Sequence, residues 1–251
     1  MTSGVRVDPH VKILDRGVVE RAKARGLDAL VYAPHFTRLE RIVERAERYS
    51  DDELVVIPAR EVFTGTWRQR RHVLALDLTD PVPDFIGLEA AFDEFARQDA
   101  VVLVPHPDFL TVSLDPSDVR RYRDAIHAVE VYNPKHWPRH NRAALALARS
   151  TDLPAFGSSY AHLPSTVGEV WTAFPDVEPT AEAVVEALRT GAPRTVEHRT
   201  GAAHRWRCTA EFLHLGYENS VKKFDRVVLQ GTEPTHPAQS AYGGRFAVEG
   251  L

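Results

Sequence analysis

Ala100-Val101-Val102-Leu103-Val104-Pro105-His106-Pro107 is the stretch on which the fold turns. The run over 100–104 is apolar, rich in β-branched valine and of strand length, and it delivers a histidine at its end. The same pattern recurs on both sides. Upstream, strands are predicted over 4–7, 28–33, 54–58 and 72–78. Three of them run into Asp8-Pro9-His10, Pro34-His35 and Ala59-Arg60-Glu61. Downstream, strands over 128–132 and 154–156 open onto Asn133 and onto Gly157-Ser158-Ser159-Tyr160-Ala161-His162. Amphipathic stretches over 18–25, 37–48, 86–97, 141–150, 180–189 and 204–223 read as helices. The second carries Leu39, Ile42, Val43 and Ala46 on one face. Strand-then-helix alternation implies a parallel sheet with right-handed crossovers.

The polar residues fall where such a sheet builds active sites. His10, His35, Glu61, His106 and His162 each lie at or just past a predicted strand end, and the C-terminal ends of barrel strands converge. For any one of them a capping or loop role is the better reading. For five together it is the weaker one.

Bulk properties bound the answer. The chain has 251 residues, 43% of them hydrophobic, enough for one α/β domain with a sizeable core. A domain over 1–229 and a surface tail over 230–251 are expected. The formal net charge of −4 gives no general reason for nucleic-acid or membrane binding. No apolar run is long enough to span a bilayer, no signal segment opens the chain, and the expected location is the cytoplasm. Cys208 is the single cysteine, so disulfides and cysteine-rich zinc sites are excluded and any metal must be held by His, Asp and Glu.

Seven stretches in order resemble one family: Asp8-Pro9-His10-Val11-Lys12, Ala33-Pro34-His35, Arg60-Glu61-Val62, His72-Val73-Leu74-Ala75-Leu76, Pro105-His106-Pro107-Asp108, Glu130-Val131-Tyr132-Asn133 and Ser158 to His162. They are similar to the motifs of the PHP (polymerase and histidinol phosphatase) family. Those motifs are Asp-x-His-x-His, Asp-His, a strand-end Glu, a His opening a Val-Leu-Ala-Leu strand, His-Pro, Glu-x-x-Asn and a late Asp-x-His. The resemblance implies an α/β fold, a distorted (β/α)7 PHP-type barrel with a C-terminal helical tail. It implies two or three divalent metal ions (Zn, Mn or Fe), which the departures below reduce to one or two, and hydrolysis of a phosphorylated small molecule or nucleotide by a metal-activated water. The implied metal ligands are His10, Asp15, His35, Glu61, His72, His106 and His162, grouped as Glu61 with His72 and His106, and His35 with His162. Imidazoles and carboxylates suit these metals, and a bridging Glu61 can hold two cations about 3.5–4 Å apart.

Three positions depart from the family pattern. Lys12 stands where a second His is expected, and a protonated ammonium has no lone pair to give a metal. Pro34 replaces an Asp, and Ser159-Tyr160 replace the late Asp. Lys12 could take over one cation's electrostatic role, which makes Lys12, Glu61 and His162 the catalytic candidates. The alternative is a non-catalytic relative that binds a phosphorylated ligand or a partner. An amidohydrolase-type barrel and a nucleic-acid-binding subunit are less favoured, the first for want of a late Asp, the second for the acidic net charge. The basic run Trp67-Arg68-Gln69-Arg70-Arg71 reads as a solvated loop, with phosphate contact as its sharper alternative. Cys208 reads as a core residue.

Overall fold

The apolar runs assemble into a single curved sheet, seen here in a computed structural model that describes residues 4–66, 70–109, 112–217 and 235–247. Its strands are β1 (Val5–Val11), β2 (Ala29–Tyr32), β3 (Val55–Gly65), β4 (Arg70–Leu76), β5 (Val101–Val104), β6 (Ala128–Tyr132), β7 (Ala155–Gly157), β8 (Val170–Phe174) and β9 (Thr195–His198). Their order across the sheet is β7-β6-β5-β4-β3-β2-β1-β8-β9. The helices are α1 (Arg16–Ala24), α2 (Leu39–Tyr49), α3 (Leu88–Arg97), α4 (Pro116–Arg121), α5 (Pro138–Thr151), α6 (Ala181–Arg189) and α7 (Ala202–Tyr217). The last six residues of the tail helix expected over 204–223 lie outside the described residues, as do Trp67, Arg68 and Gln69 of the basic run.

Period-2 alternation along the strands separates two faces. In β5, Val101 and Leu103 join Val7, Val31, Ile57, Leu74 and Phe156 in the barrel interior, whose far end is sealed by Val184, Ala187 and Leu188 of α6. Val102 and Val104 point outward and pack with Phe92 and Phe95 of α3 and Leu147 of α5. On the other side, Val18 and Ala22 of α1 and Ile42 and Ala46 of α2 cover Leu30 and Val56.

The sheet is mixed rather than wholly parallel. The pairs β1–β2, β2–β3, β5–β6 and β6–β7 run parallel, while β3–β4, β4–β5, β1–β8 and β8–β9 run antiparallel. A short link joins Gly65 to Arg70, and a parallel pair would need a crossover of a dozen or more residues. The strand expected to stop at 58 therefore continues to Gly65, leaving β2 and pairing β4 from Ala59 onward. The barrel is nearly closed: Ala161, just past β7, bridges to Val11, and the Lys12 N–H donates to the Ala161 carbonyl at 2.9 Å. β7 also lies against β8 and β9, where a Cβ on Gly157 would fall 2.4 Å from Val196 Cγ1, so only glycine fits.

A buried ion pair lies beside β3. Arg60, 1% exposed, reaches Asp84 at 3.0 Å, and Asp84 also accepts the Phe63 N–H at 2.8 Å and the Thr235 hydroxyl. The chain over 235–247 is thus tied to the barrel beside β3, with His236 against Phe85 at 5.8 Å. Removing one partner of such a pair strands a buried charge. Asp84→Ala is expected to cost about 3–5 kcal/mol of unfolding free energy. Urea denaturation checks it, and a loss below about 1 kcal/mol would contradict the assignment of a buried, fully used pair.

Candidate metal centre

Glu61 is the hub. It lies mid-strand in β3, fully buried, where β3 has exchanged β2 for β4. Five cationic or imidazole side chains surround its carboxylate. Lys12 Nζ contacts Oε2, and His35 Nε2 lies 3.0 Å from the same oxygen. His106 Nε2 is 3.0 Å from Oε1, with His10 Nε2 and His72 Nδ1 each at 3.4 Å. Topology explains the convergence. His10 and His106 come from the ends of the parallel strands β1 and β5, and His35 from just past β2. His72 opens β4, which runs the other way, so a strand start arrives at the same end.

Electrostatics keep this cluster in a ligand-ready state. Burial would raise the Glu61 carboxyl, but Lys12 first and then the imidazoles outweigh it and hold it well below the ordinary range. Burial, reinforced by the Lys12 charge, lowers His10 to about 3 and His35 well below its usual value. Neutral imidazoles keep a lone pair. Both ring nitrogens of His10 and of His72 are buried without a hydrogen-bond partner, as is His35 Nδ1. Orphaned buried nitrogens of this kind mark a place for a water or an ion. His35, Glu61 and His72 offer ligand atoms that all lie within 4.8 Å of one another, the one such group among the described residues. The donor set fits one divalent cation there. Lys12 also donates to the Ala33 carbonyl at 2.7 Å, and it shares Oε2 of Glu61 with His35.

Two expected ligands are placed elsewhere. Asp15 is exposed and caps α1, accepting the Val18 N–H at 2.9 Å, because the helix starts at Arg16 rather than at 18. This corrects its expected place in the site. His162 sits one layer out. Its ring meets Tyr160 edge-on at 4.9 Å, its backbone N–H donates to Glu211, and it does not share a tight ligand group with His35. Tyr160 fills the region where the family resemblance expected an Asp. Its ring lies 4.7 Å from that of His10 and 5.1 Å from that of His106. Phe36, His106, Asp108 and Tyr160 all have positive φ, and such strained non-glycine residues gather at functional sites. Of the basic run, Arg71 is committed to Asp118 of α4.

Three buried residues escaped the sequence reading of roles. Glu130 accepts from the His106 N–H at 2.6 Å, from Asn133 and from the Ser158 hydroxyl, joining the ends of β5, β6 and β7. Burial raises its pKa. Lys135, whose pKa burial lowers, contacts the Tyr160 carbonyl and pairs at 3.0 Å with Glu211 of α7. Lys135 had one weak signal, its place just past a strand end. Glu211 had none.

Residues 138–193 match a family model described as PHP-associated. No curated protein matches the chain. Among solved structures, PsfC from Pseudomonas syringae PB-5123 is 20% identical, with a TM-score of 0.62 over 87% of this chain and 100% of that one. A lesion-specific endonuclease from Pyrococcus furiosus is 16% identical, with a TM-score of 0.54 over 76% of this chain and 57% of that one. An amidohydrolase from Chromobacterium violaceum, solved with bound sulfate and no metal, is 13% identical with a TM-score of 0.51, over 76% of this chain and 97% of that one. At these identities the likeness is one of fold. Among the described residues no helix is long and apolar enough to cross a membrane.

Cys208 gives no nucleophile. It is buried on α7 and burial pushes its thiol up to about 12 from 9.0. That leaves about a thousandfold less thiolate at pH 8 than a free cysteine has. Iodoacetamide at pH 8 is expected to leave the native chain unlabelled and to label it once urea unfolds it. Rapid native labelling, read by mass spectrometry, would contradict this burial.

Proposed function

We propose that the chain, a divergent member of the PHP-domain family, is a metal-dependent phosphoesterase with a reduced metal centre. The observation that carries this reading is Lys12 seated on the same buried carboxylate that His35 and His72 share. His35, Glu61 and His72 would hold one divalent cation, which when bound supplies a polarised phosphoryl oxygen and a water of lowered pKa. The chain's own groups do the rest. Lys12, whose pKa burial lowers to about 8, sets a positive charge beside the phosphoryl oxygens at neutral pH and takes the electrostatic place of a second cation. Its contact with Glu61, together with His106 on the other oxygen, fixes the carboxylate's orientation. His106 is itself aligned by Ser113 Oγ at 3.1 Å and by the Glu130 bond to its backbone. His162, half-buried beyond Tyr160, donates the proton to the leaving oxygen.

The substrate class in this reading is a phosphomonoester or nucleotide. The acidic net charge argues against general nucleic-acid binding, while the endonuclease fold neighbour weakens that argument. Lys12 on the central carboxylate also favours a second reading, in which the pocket binds phosphate without hydrolysing it, since an ammonium there repels an incoming cation.

Elemental analysis of protein purified without added metal, paired with phosphate release from generic phosphomonoesters, separates the two. The hydrolase reading expects about one divalent ion per chain. Glu61→Gln should lose that ion and the activity. Lys12→Ala should keep the ion and lose on the order of 100-fold in rate, the scale of one removed transition-state donor. Phosphate binding with neither metal nor turnover would establish the second reading. Two tightly held ions would show that Lys12 yields its seat.

A further inference from the structure

A groove of about 720 Å³ opens between the start of α5 and the face of α7, within the size range of small-molecule sites. Its two walls carry the same kinds of side chain. From the α5 side come Trp137, 50% exposed, and Arg142; from α7 come Phe212, 38% exposed, and Arg205. Trp137 is braced as a flat surface, with the His140 ring stacked on it at 5.4 Å and the Arg139 guanidinium 4.8 Å from its centroid. Arg142 and Arg205 are exposed and make no ion pair among the described residues. A groove with an aromatic on each wall and two uncompensated guanidinium groups suits a ligand that is planar on one part and anionic on another.

The groove's lining adjoins the Glu61 cluster through Tyr160. Lys135, buried in its lining, places Nζ 4.1 Å from the centroid of the Tyr160 ring, and that ring stands against His10 and His106. His136, another lining residue, stacks at 4.0 Å on Phe109, three positions beyond His106. We propose that this groove is the base subsite of a nucleoside monophosphate, with Trp137 as the stacking surface, Arg142 and Arg205 at the rim, and the phosphate directed past Tyr160 to Lys12 and Glu61. The assignment rests on the phosphoesterase-site reading for where the phosphate goes, but not for whether it is cleaved.

The test compares adenosine 5′-monophosphate with ribose 5-phosphate on the intact chain as purified. Affinity is read by calorimetry, or as KM if turnover occurs, and phosphate release is read in parallel. Base stacking is expected to favour the nucleotide about tenfold. Trp137→Ala should bring that ratio close to one, while Trp206→Ala, at an exposed α7 position outside the groove lining, should leave it unchanged. Equal affinities in the wild type, or a ratio unaffected by Trp137→Ala, would overturn the proposal. A Trp137-dependent preference with no phosphate release from either compound would uphold the groove and remove the hydrolase reading. Release from both without a preference would do the reverse. A 5′-phosphorylated tetranucleotide binding more tightly than the mononucleotide, with steep salt dependence, would overturn the choice of a free nucleotide.

Discussion

The contact between Lys12 and Glu61 is the constraint around which the rest is arranged. A carboxylate with no exposed surface cannot stay ionised unless charge and hydrogen bonds replace the water it has lost. Lys12 supplies the charge, and its ammonium needs its own partners, which the Ala33 carbonyl helps to provide. Strands β1, β2 and β3 must therefore lie in register for the pair to form: Lys12 follows β1, Ala33 follows β2 and Glu61 belongs to β3. The near-closure of the barrel serves the same end, because the Lys12 N–H bonded to Ala161 sets where the lysine leaves the sheet.

Burial, and after it the Lys12 charge, also sets the state of His10 and His35. With Lys12 charged and water excluded, a second positive charge on His10 or His35 is disfavoured, and both rings stay neutral at physiological pH. The ammonium thus has two opposed effects. It competes with a metal for the Oε2 oxygen that His35 also approaches, and it disfavours protonation of the imidazoles whose lone pairs could hold one. The proposed single-cation centre at His35, Glu61 and His72 rests on that balance.

What could be read from the chain before any coordinates follows the range over which each feature is determined. Strand-end placement of His10, His35 and His106 was legible, because an apolar run and the polar residue that ends it are adjacent in sequence. The antiparallel course of β4 was not. Val62 and Phe63 look like the residues after a strand, and only their pairing with Val73 and His72 extends β3. Asp15 entered the ligand set by resemblance alone, whereas its role as a cap is decided by where the next helix begins, within a margin of a residue or two. Lys135 and Glu211 are charged residues whose burial depends on α7 docking against a loop that precedes it by many residues. Glu169 helps to hold that helix, taking His204 at 2.6 Å and Arg207 at 2.6 Å from α7 and Arg25 at 2.7 Å from the end of α1. No local pattern encodes an arrangement of that span.

The same device appears twice, on either side of Tyr160. Lys12 with Glu61 and Lys135 with Glu211 are both buried lysine–carboxylate pairs, and their ammonium groups lie 5.6 Å and 4.1 Å from the centroid of the one ring. Tyr160 holds a left-handed backbone, φ 49°, which costs a tyrosine roughly 1–2 kcal/mol. Contacts from both sides compensate that strain: Lys135 at its carbonyl, both cations toward its ring face, and the rings of His10 and His106 against it. An aromatic face attracts a cation without neutralising it, so Tyr160 adds to the hold on each ammonium while Glu61 and Glu211 remain the groups that balance their charge. A carboxylate at this position would have added a further negative charge beside two lysines that Glu61 and Glu211 already balance. Lys12 and Tyr160, standing where the family resemblance expected an imidazole and an acid, therefore act together: one adds a positive charge to the site and the other adds no negative charge.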